Sequence, residues 1–242
     1  MNLFKSVLLI VPFLIANVLH ALPFGVKPNI ILVITDDQGY GPIGKNGNPW
    51  IKTPNLDKLH GQSTRFERFL VSPTCSPTRA ALMSGRHPMK NGITHTILER
   101  ERMALSTVTL PQVLKNAGYT SGIFGKWHLG HHQKFLPMQH GFDDYFGLPY
   151  SNDMWPYHPG VLHLPMEERL KRWPHLPLVE GNEVINPKVT GEDQEQLTKE
   201  YTQRAVSFIK KNKENPFFVY LPHSMVHVPL YVSDKFKGKS GA

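Results

Sequence analysis

The period of the apolar positions changes several times along these 242 residues, and each change marks an element. "NIILVITDD" (29–37) is a continuous apolar, β-branched run, the pattern of a strand buried on both faces. "TPNLDKL" opens a helix, with Thr53 as N-cap and Pro54 at the first helical position. "RFERFLV" (65–71) alternates with period two and predicts a second strand. Residues 76–84 read as a helix that stops at Gly85, and "TLPQVLKNAG" (109–118) as a compact helix stopped by Gly118. "YTSGIFG" is then a third strand. From 141 to 190 the chain is rich in Pro, Trp, His and Gly without a clean period, and long loops are expected there. "DQEQLTKEYTQRAVSFIKKN" (193–212) sets Leu197, Tyr201, Ala205, Phe208 and Ile209 on one helical face, and "PFFVYLP" (216–222) is another buried strand. Strand alternating with helix predicts one α/β domain over residues 28–242, a mostly parallel central sheet with helices on both faces.

Composition adds little until the N-terminus is considered. The formal charge of +8 and the 13 His are spread along the chain, and the dense basic runs ("KKNK", "KFKGK") are short. That is not the concentrated patch of a nucleic-acid binder, and it suits small anionic substrates. "MNLFKSVLLIVPFLIANVLHALP" carries Lys5, an apolar run from Val7 to Ile15 and the small residue Ala21, the layout of a secretory signal peptide over residues 1–21. The run is broken by Pro12 and Asn17, whereas a span needs ~20 apolar residues, so no stable membrane anchor is expected. Export to a periplasm or the extracellular space follows, and the lack of any Asn-x-Ser/Thr acceptor favours a bacterial host. One cysteine, Cys75, cannot form an internal disulfide in that setting. It is either an idle buried thiol or a residue kept for chemistry.

Polar groups gather where ligands of open α/β sheets bind, beyond the carboxyl ends of strands. Asp36 and Asp37 follow the first predicted strand, Cys75 the second, Lys126 and His128 the third, and His223 and His227 the last. Adjacent carboxylates repel unless a cation or proton sits between them, so Asp36-Asp37 is either a Ca²⁺ or Mg²⁺ site or a solvated turn. "CSPTR" could start a helix whose first amides face an anion, with Arg79 one turn on. A cysteine phosphatase loop needs five residues between Cys and Arg, and here there are three. Lys126 and His128 point to the same side of an extended segment, offering an ammonium to an anionic oxygen and an imidazole to move protons. His131 and His132 are expected as loop histidines. Spacing does not choose between His223 and His227. Trp155, Tyr157 and Trp173 could either stack on a ring at the pocket's outer wall or simply pack.

"CSPTR" followed by "AALMSGR" resembles the signature of the formylglycine-dependent sulfatases. "NIILVITDDQGYG", "TPNLDKL", "GYTSGIFGKWHLG", "GFDDYFGLPYSND" and "PFFVYLPHSMVHVPL" resemble successive blocks of the arylsulfatase A-like branch, in order, over nearly all of residues 28–242. The resemblance implies an alkaline phosphatase-like sheet and hydrolysis of a sulfate monoester. It implies that Cys75 is converted to Cα-formylglycine by a maturation enzyme acting on the unfolded segment, and that the aldehyde hydrate supplies the attacking hydroxyl. It assigns Asp36, Asp37 and the modified Cys75 to Ca²⁺, and Arg79 to the hydrate and the metal-side carboxylates. Lys126 would contact sulfate and hydrate, His128 would take a proton from the second hydroxyl, and Ser151 would also reach the sulfate. The family's late histidine precedes an x-Pro step, which selects His227 ("VHVP") to bind sulfate and protonate the leaving alcohol. The substrate implied is a sulfated small molecule or glycan. Two other readings stay open: a phosphoesterase or phosphonate hydrolase of the same superfamily, or a silent domain that binds sulfated glycans. The family completes its Ca²⁺ site with a later Asp-Asn pair and its leaving-group machinery with a later Lys. No Asp-Asn dipeptide occurs here, so the chain is expected to be the N-terminal part of a longer sulfatase, truncated before its C-terminal part and weakly active alone.

Overall fold

The computed structural model describes residues 26–96 and 102–241, so the segment read as a signal peptide lies outside the described residues. The chain enters through β1 (Ile30–Ile34), followed by α1 (Pro54–His60), α2 (Cys75–Ser84), α3 (Pro88–Asn91) and α4 (Leu110–Asn116). Then come β2 (Thr120–Phe124), β3 (Asp144–Gly147), α5 (Met166–Arg172), the pair β4 (Leu178–Glu180) and β5 (Glu183–Asn186), the long α6 (Gly191–Asn212), and β6 (Phe217–Pro222). One sheet results, in the order β1-β6-β2-β3-β4-β5. Its first four strands are parallel, with Ile30 opposite Phe218 and Ile123 opposite Tyr220 and Tyr145, and β4 and β5 close the far edge antiparallel.

Alternation along the central strands supplies both faces. Ile123, Tyr145, Phe218 and Tyr220 point into a core shared with Ala80 and Met83 of α2 and Leu110 and Leu114 of α4. Their neighbours Phe124, Phe146, Phe217 and Val219 point the other way, onto Leu197, Tyr201, Ala205 and Phe208 of α6. That is the buried stripe expected from the helical period. The helix begins two residues before the predicted start because Thr190 caps it. Its hydroxyl accepts from the Asp193 amide, and the Asp193 carboxylate accepts in turn from the Thr190 amide at 2.8 Å.

Three expectations need correction. Residues 65–71 form no strand: their alternation meets no partner backbone among the described residues, and Phe66, Phe69 and Leu70 lie exposed. Strand β1 is not buried on both faces. It lies at the sheet edge, α6 packs mainly on β2, β3 and β6, and Ile31 and Val33 remain 52% and 54% exposed. Residues 141–190 are not only loops, for they hold β3, α5, β4 and β5. β3 is four residues long and β4 three, too short to display a period, yet β3 completes the parallel core. Among the described residues no helix is long and apolar enough to cross a membrane.

One buried imidazole makes the fold acid-sensitive. His140 is fully buried beside the Trp127 ring, 5.5 Å between centroids, and neither ring nitrogen has a partner among the described residues. Burial lowers its pKa from 6.5 to about 4. The folded protein therefore keeps it neutral while the unfolded chain protonates, so its contribution is intact above pH 6.5 and is lost as pH falls toward 4, by about 1.4 kcal/mol per unit. The thermal midpoint is expected to drop between pH 7 and 5, and His140→Phe to flatten that slope.

Candidate active site

The carboxyl ends of four parallel strands converge on one place. β1 ends just before Asp36, β6 before the His223–His227 loop, β2 before Lys126, and β3 before Ser151. The segment leaving β2 is stitched to both of its neighbours. The Gly125 and Trp127 amides donate to Phe146 and Leu148 on one side, at 2.9 Å each, and the Lys126 amide donates to Pro222 on the other, at 2.8 Å. This threading leaves no room for a side chain at Gly125, which has φ 143° and whose Cβ would stand 2.0 Å from the Pro222 carbonyl oxygen. Gly125→Ala is expected to destabilise the protein by about 3 kcal/mol or more, read as a lowered denaturant midpoint or loss of soluble protein.

Cys75 does not follow a strand, as the sequence pattern suggested. It is the first residue of α2, and its neighbours along the helix turn inward: Arg79, one turn on, is 1% exposed. Asp36 is the hub of the charges. Its Oδ2 accepts from Arg79 Nη2 at 2.5 Å and from Lys126 Nζ at 2.7 Å. Arg79 Nη1 also donates to the Lys126 carbonyl at 2.6 Å, and Lys126 Nζ to Ser151 Oγ at 2.9 Å. Burial alone would raise the Asp36 pKa, but Lys126 and Arg79 outweigh it and hold the carboxyl below its ordinary value. Burial likewise opposes the Arg79 charge, and Tyr220, Asp36 and Cys75 more than offset it.

His128 stands beside Cys75, with Nδ1 3.2 Å from Sγ. Burial, then repulsion from Lys126, Arg79 and His227, drives its pKa well below the ordinary value, so the imidazole is neutral and able to accept a proton. Its backbone is left-handed at φ 61°, as is that of Asp37 at φ 57°; two non-glycine residues in that region at one site mark strain held by the surroundings. Thr96, which the sequence pattern did not single out, places Oγ1 3.3 Å from Cys75 Sγ.

The two late histidines separate. His223 is tied by its amide to Ile34 at 2.9 Å and packs near Tyr201, and burial lowers its pKa. His227 turns Nε2 toward Asp37 Oδ2 at 3.5 Å, while its Nδ1 donates to the Val228 carbonyl at 2.5 Å. Ligand atoms of Asp36, Asp37 and His227 lie within 4.8 Å of one another, and Asp36 Oδ1 is buried without a partner among the described residues. A buried carboxylate oxygen left over beside a second carboxylate fits a hard cation. The aromatic wall is mostly packing: Trp155 and Trp173 are buried, and Tyr157 alone of the three is exposed. The His131 and His132 rings lie 4.5 Å apart, tilted by 31°, on the loop after β2, with His131 edge-on to Tyr150.

The family model described as Sulfatase matches residues 28–242. The mouse N-acetylgalactosamine-6-sulfatase is 38% identical over 235 residues, covering 88% of this chain and 42% of that protein. Rat arylsulfatase G is 37% identical over 226 residues, covering 86% of this chain and 42% of its own length. Among solved structures, the PsFucS1 sulfatase from Pseudoalteromonas sp. superposes with a TM-score of 0.78 at 27% identity, over 90% of this chain and 48% of that one. The chain thus spans less than half the length of each of these three proteins.

Proposed function

The chain belongs to the sulfatase family, and on that premise we propose that the protein it forms part of hydrolyses a sulfate monoester at the Cys75 site. One observation carries the reading. The lone thiol stands at a helix start 3.2 Å from a neutral imidazole, with Arg79 one turn on sharing one buried carboxylate with Lys126, which is a nucleophile position suited to an anionic substrate. Similarity to an N-acetylgalactosamine-6-sulfatase supports a sulfated glycan as the substrate class.

Residue 75 is suited to conversion to Cα-formylglycine by a maturation enzyme, since its thiol is free of any disulfide and therefore available in the unfolded segment. Once formed, that group would supply, as its hydrate, one hydroxyl to take the sulfuryl group from the departing alcohol and a second whose deprotonation would expel sulfate by breaking the C–O bond and so restore the aldehyde. Asp36 and Asp37 would hold a Ca²⁺, which supplies positive charge to a sulfate oxygen. Lys126, held by Ser151 and Asp36, neutralises sulfate charge from the strand-end side. Arg79 keeps Asp36 ionised. His128 Nδ1 accepts the proton from the group at position 75. His227 has Nδ1 committed to a backbone carbonyl, which leaves Nε2 to carry a proton to the departing alcohol.

The test is a comparison of matched sulfate and phosphate monoesters with the protein as its host makes it. Preference for the sulfate ester is expected, and preference for the phosphate ester would move the chain to the phosphoesterase side of its superfamily.

A further inference from the structure

The buried stripe of α6 begins with a polar residue. Gln194 is 1% exposed and takes the first place in the series continued by Leu197, Tyr201, Ala205 and Phe208, where packing alone would favour another apolar side chain. Its partner is Asn152, fully buried and immediately after Ser151. Asn152 Nδ2 donates to Gln194 Oε1 at 3.1 Å and to the Pro229 carbonyl at 3.3 Å, and Gln194 Nε2 returns a long contact of 3.5 Å to the Asn152 carbonyl. One amide therefore joins three segments: the loop after β3, the start of α6 and the loop after β6.

Each joined loop carries a residue of the site. Ser151 holds the Lys126 ammonium at 2.9 Å, and Pro229 lies two residues beyond His227, whose Nδ1 donates to the intervening Val228. Asn152 Oδ1 has no partner among the described residues, so stability is not what the pair is optimised for. A buried amide is costly unless bonded, and an apolar pair could fill the same volume; what the hydrogen bonds add is a fixed relation between the loops.

We propose that Asn152 and Gln194 are positioning residues, a clamp that sets the Ser151–Lys126 side of the sulfate pocket against the His227 side. The inference rests on the sulfatase reading above. Loosening the clamp lets the two sides drift, and misplacement of about 1 Å costs on the order of 100-fold in rate.

Gln194→Met keeps the volume and removes the bonds, and Asn152→Leu does the same from the other side. In the full-length protein from its own host, kcat/KM for a sulfate ester is expected to fall about 10-fold or more in each variant. The Ki of inorganic sulfate should rise in parallel, and the thermal midpoint should fall modestly, because each single variant leaves the partner amide short of a hydrogen bond. Gln194→Glu keeps the acceptor for Asn152 and should recover much of the loss, and the double variant should be scarcely worse than either single one. Unchanged kcat/KM and Ki in Gln194→Met would overturn the clamp while leaving the sulfatase reading intact, and so would a lowered thermal midpoint with unchanged kinetics. If Asn152→Leu does not fold, the Gln194 variants decide alone. An unmutated protein inactive on every sulfate ester tried would overturn both.

Discussion

Asp36→Asn is expected to be the most destabilising single substitution at the site and to leave no activity. Among the described residues Asp36 is the sole carboxylate contacting the buried Arg79 and Lys126, so its neutralisation leaves two cations packed together without a counter-charge. Removing one partner from such a buried cluster costs about 3–5 kcal/mol. The sign of a second change follows. Arg79→Met alone leaves an Asp36–Lys126 pair that still balances, and combined with Asp36→Asn it removes one of the two stranded cations. The double variant should therefore be more stable than Asp36→Asn alone, a coupling that urea unfolding resolves. Equal stability of Asp36→Asn and the parent would mean that the buried charges do not organise the site as described.

Cys75→Ala should act oppositely, removing turnover with little change in stability. The side chain is small and half-buried, and its polar contacts among the described residues are His128 and Thr96, so little packing is lost. If residue 75 carries the nucleophile, kcat for a sulfate ester falls by about 10⁴-fold or more. Cys75→Ser is the sharper variant. Its single hydroxyl can take sulfate once but has no second hydroxyl to expel it, so it should give at most one turnover and stall. Sustained turnover by the serine variant would exclude the hydrate chemistry.

What the sequence disclosed depended on how long each pattern ran. The 22 residues of α6 repeat the helical stripe several times, and six apolar residues in β6 leave no doubt about a strand buried on both sides. The same logic overreached at β1, where a continuous apolar run meant a buried strand only if a helix reached it, and α6 stops one strand short. Period two in residues 65–71 was real but insufficient, because a strand also needs a partner backbone. The pair β4 and β5 was legible after all: Gly181-Asn182 between two short apolar stretches, with Gly181 at φ 59°, is a two-residue hairpin signal inside a region read as loop.

Residue types at strand ends singled out Asp36, Lys126 and His128, and the fold brings them together around one place, because a parallel sheet gathers strand ends whatever the loops do. Spacing alone left His223 and His227 equal, and the fold separates them, sending one into the packing beside Tyr201 and the other toward Asp37. Thr96 and the Asn152–Gln194 pair had no local signal beyond, for Gln194, an amide where the stripe called for an apolar residue.

The most direct test of the account is the mass of the tryptic peptide Phe69–Arg79, "FLVSPTCSPTR", taken from protein made in its native host and shown to hydrolyse a sulfate ester. The account predicts an aldehyde in place of the thiol at residue 75. An intact cysteine throughout an active preparation would contradict it.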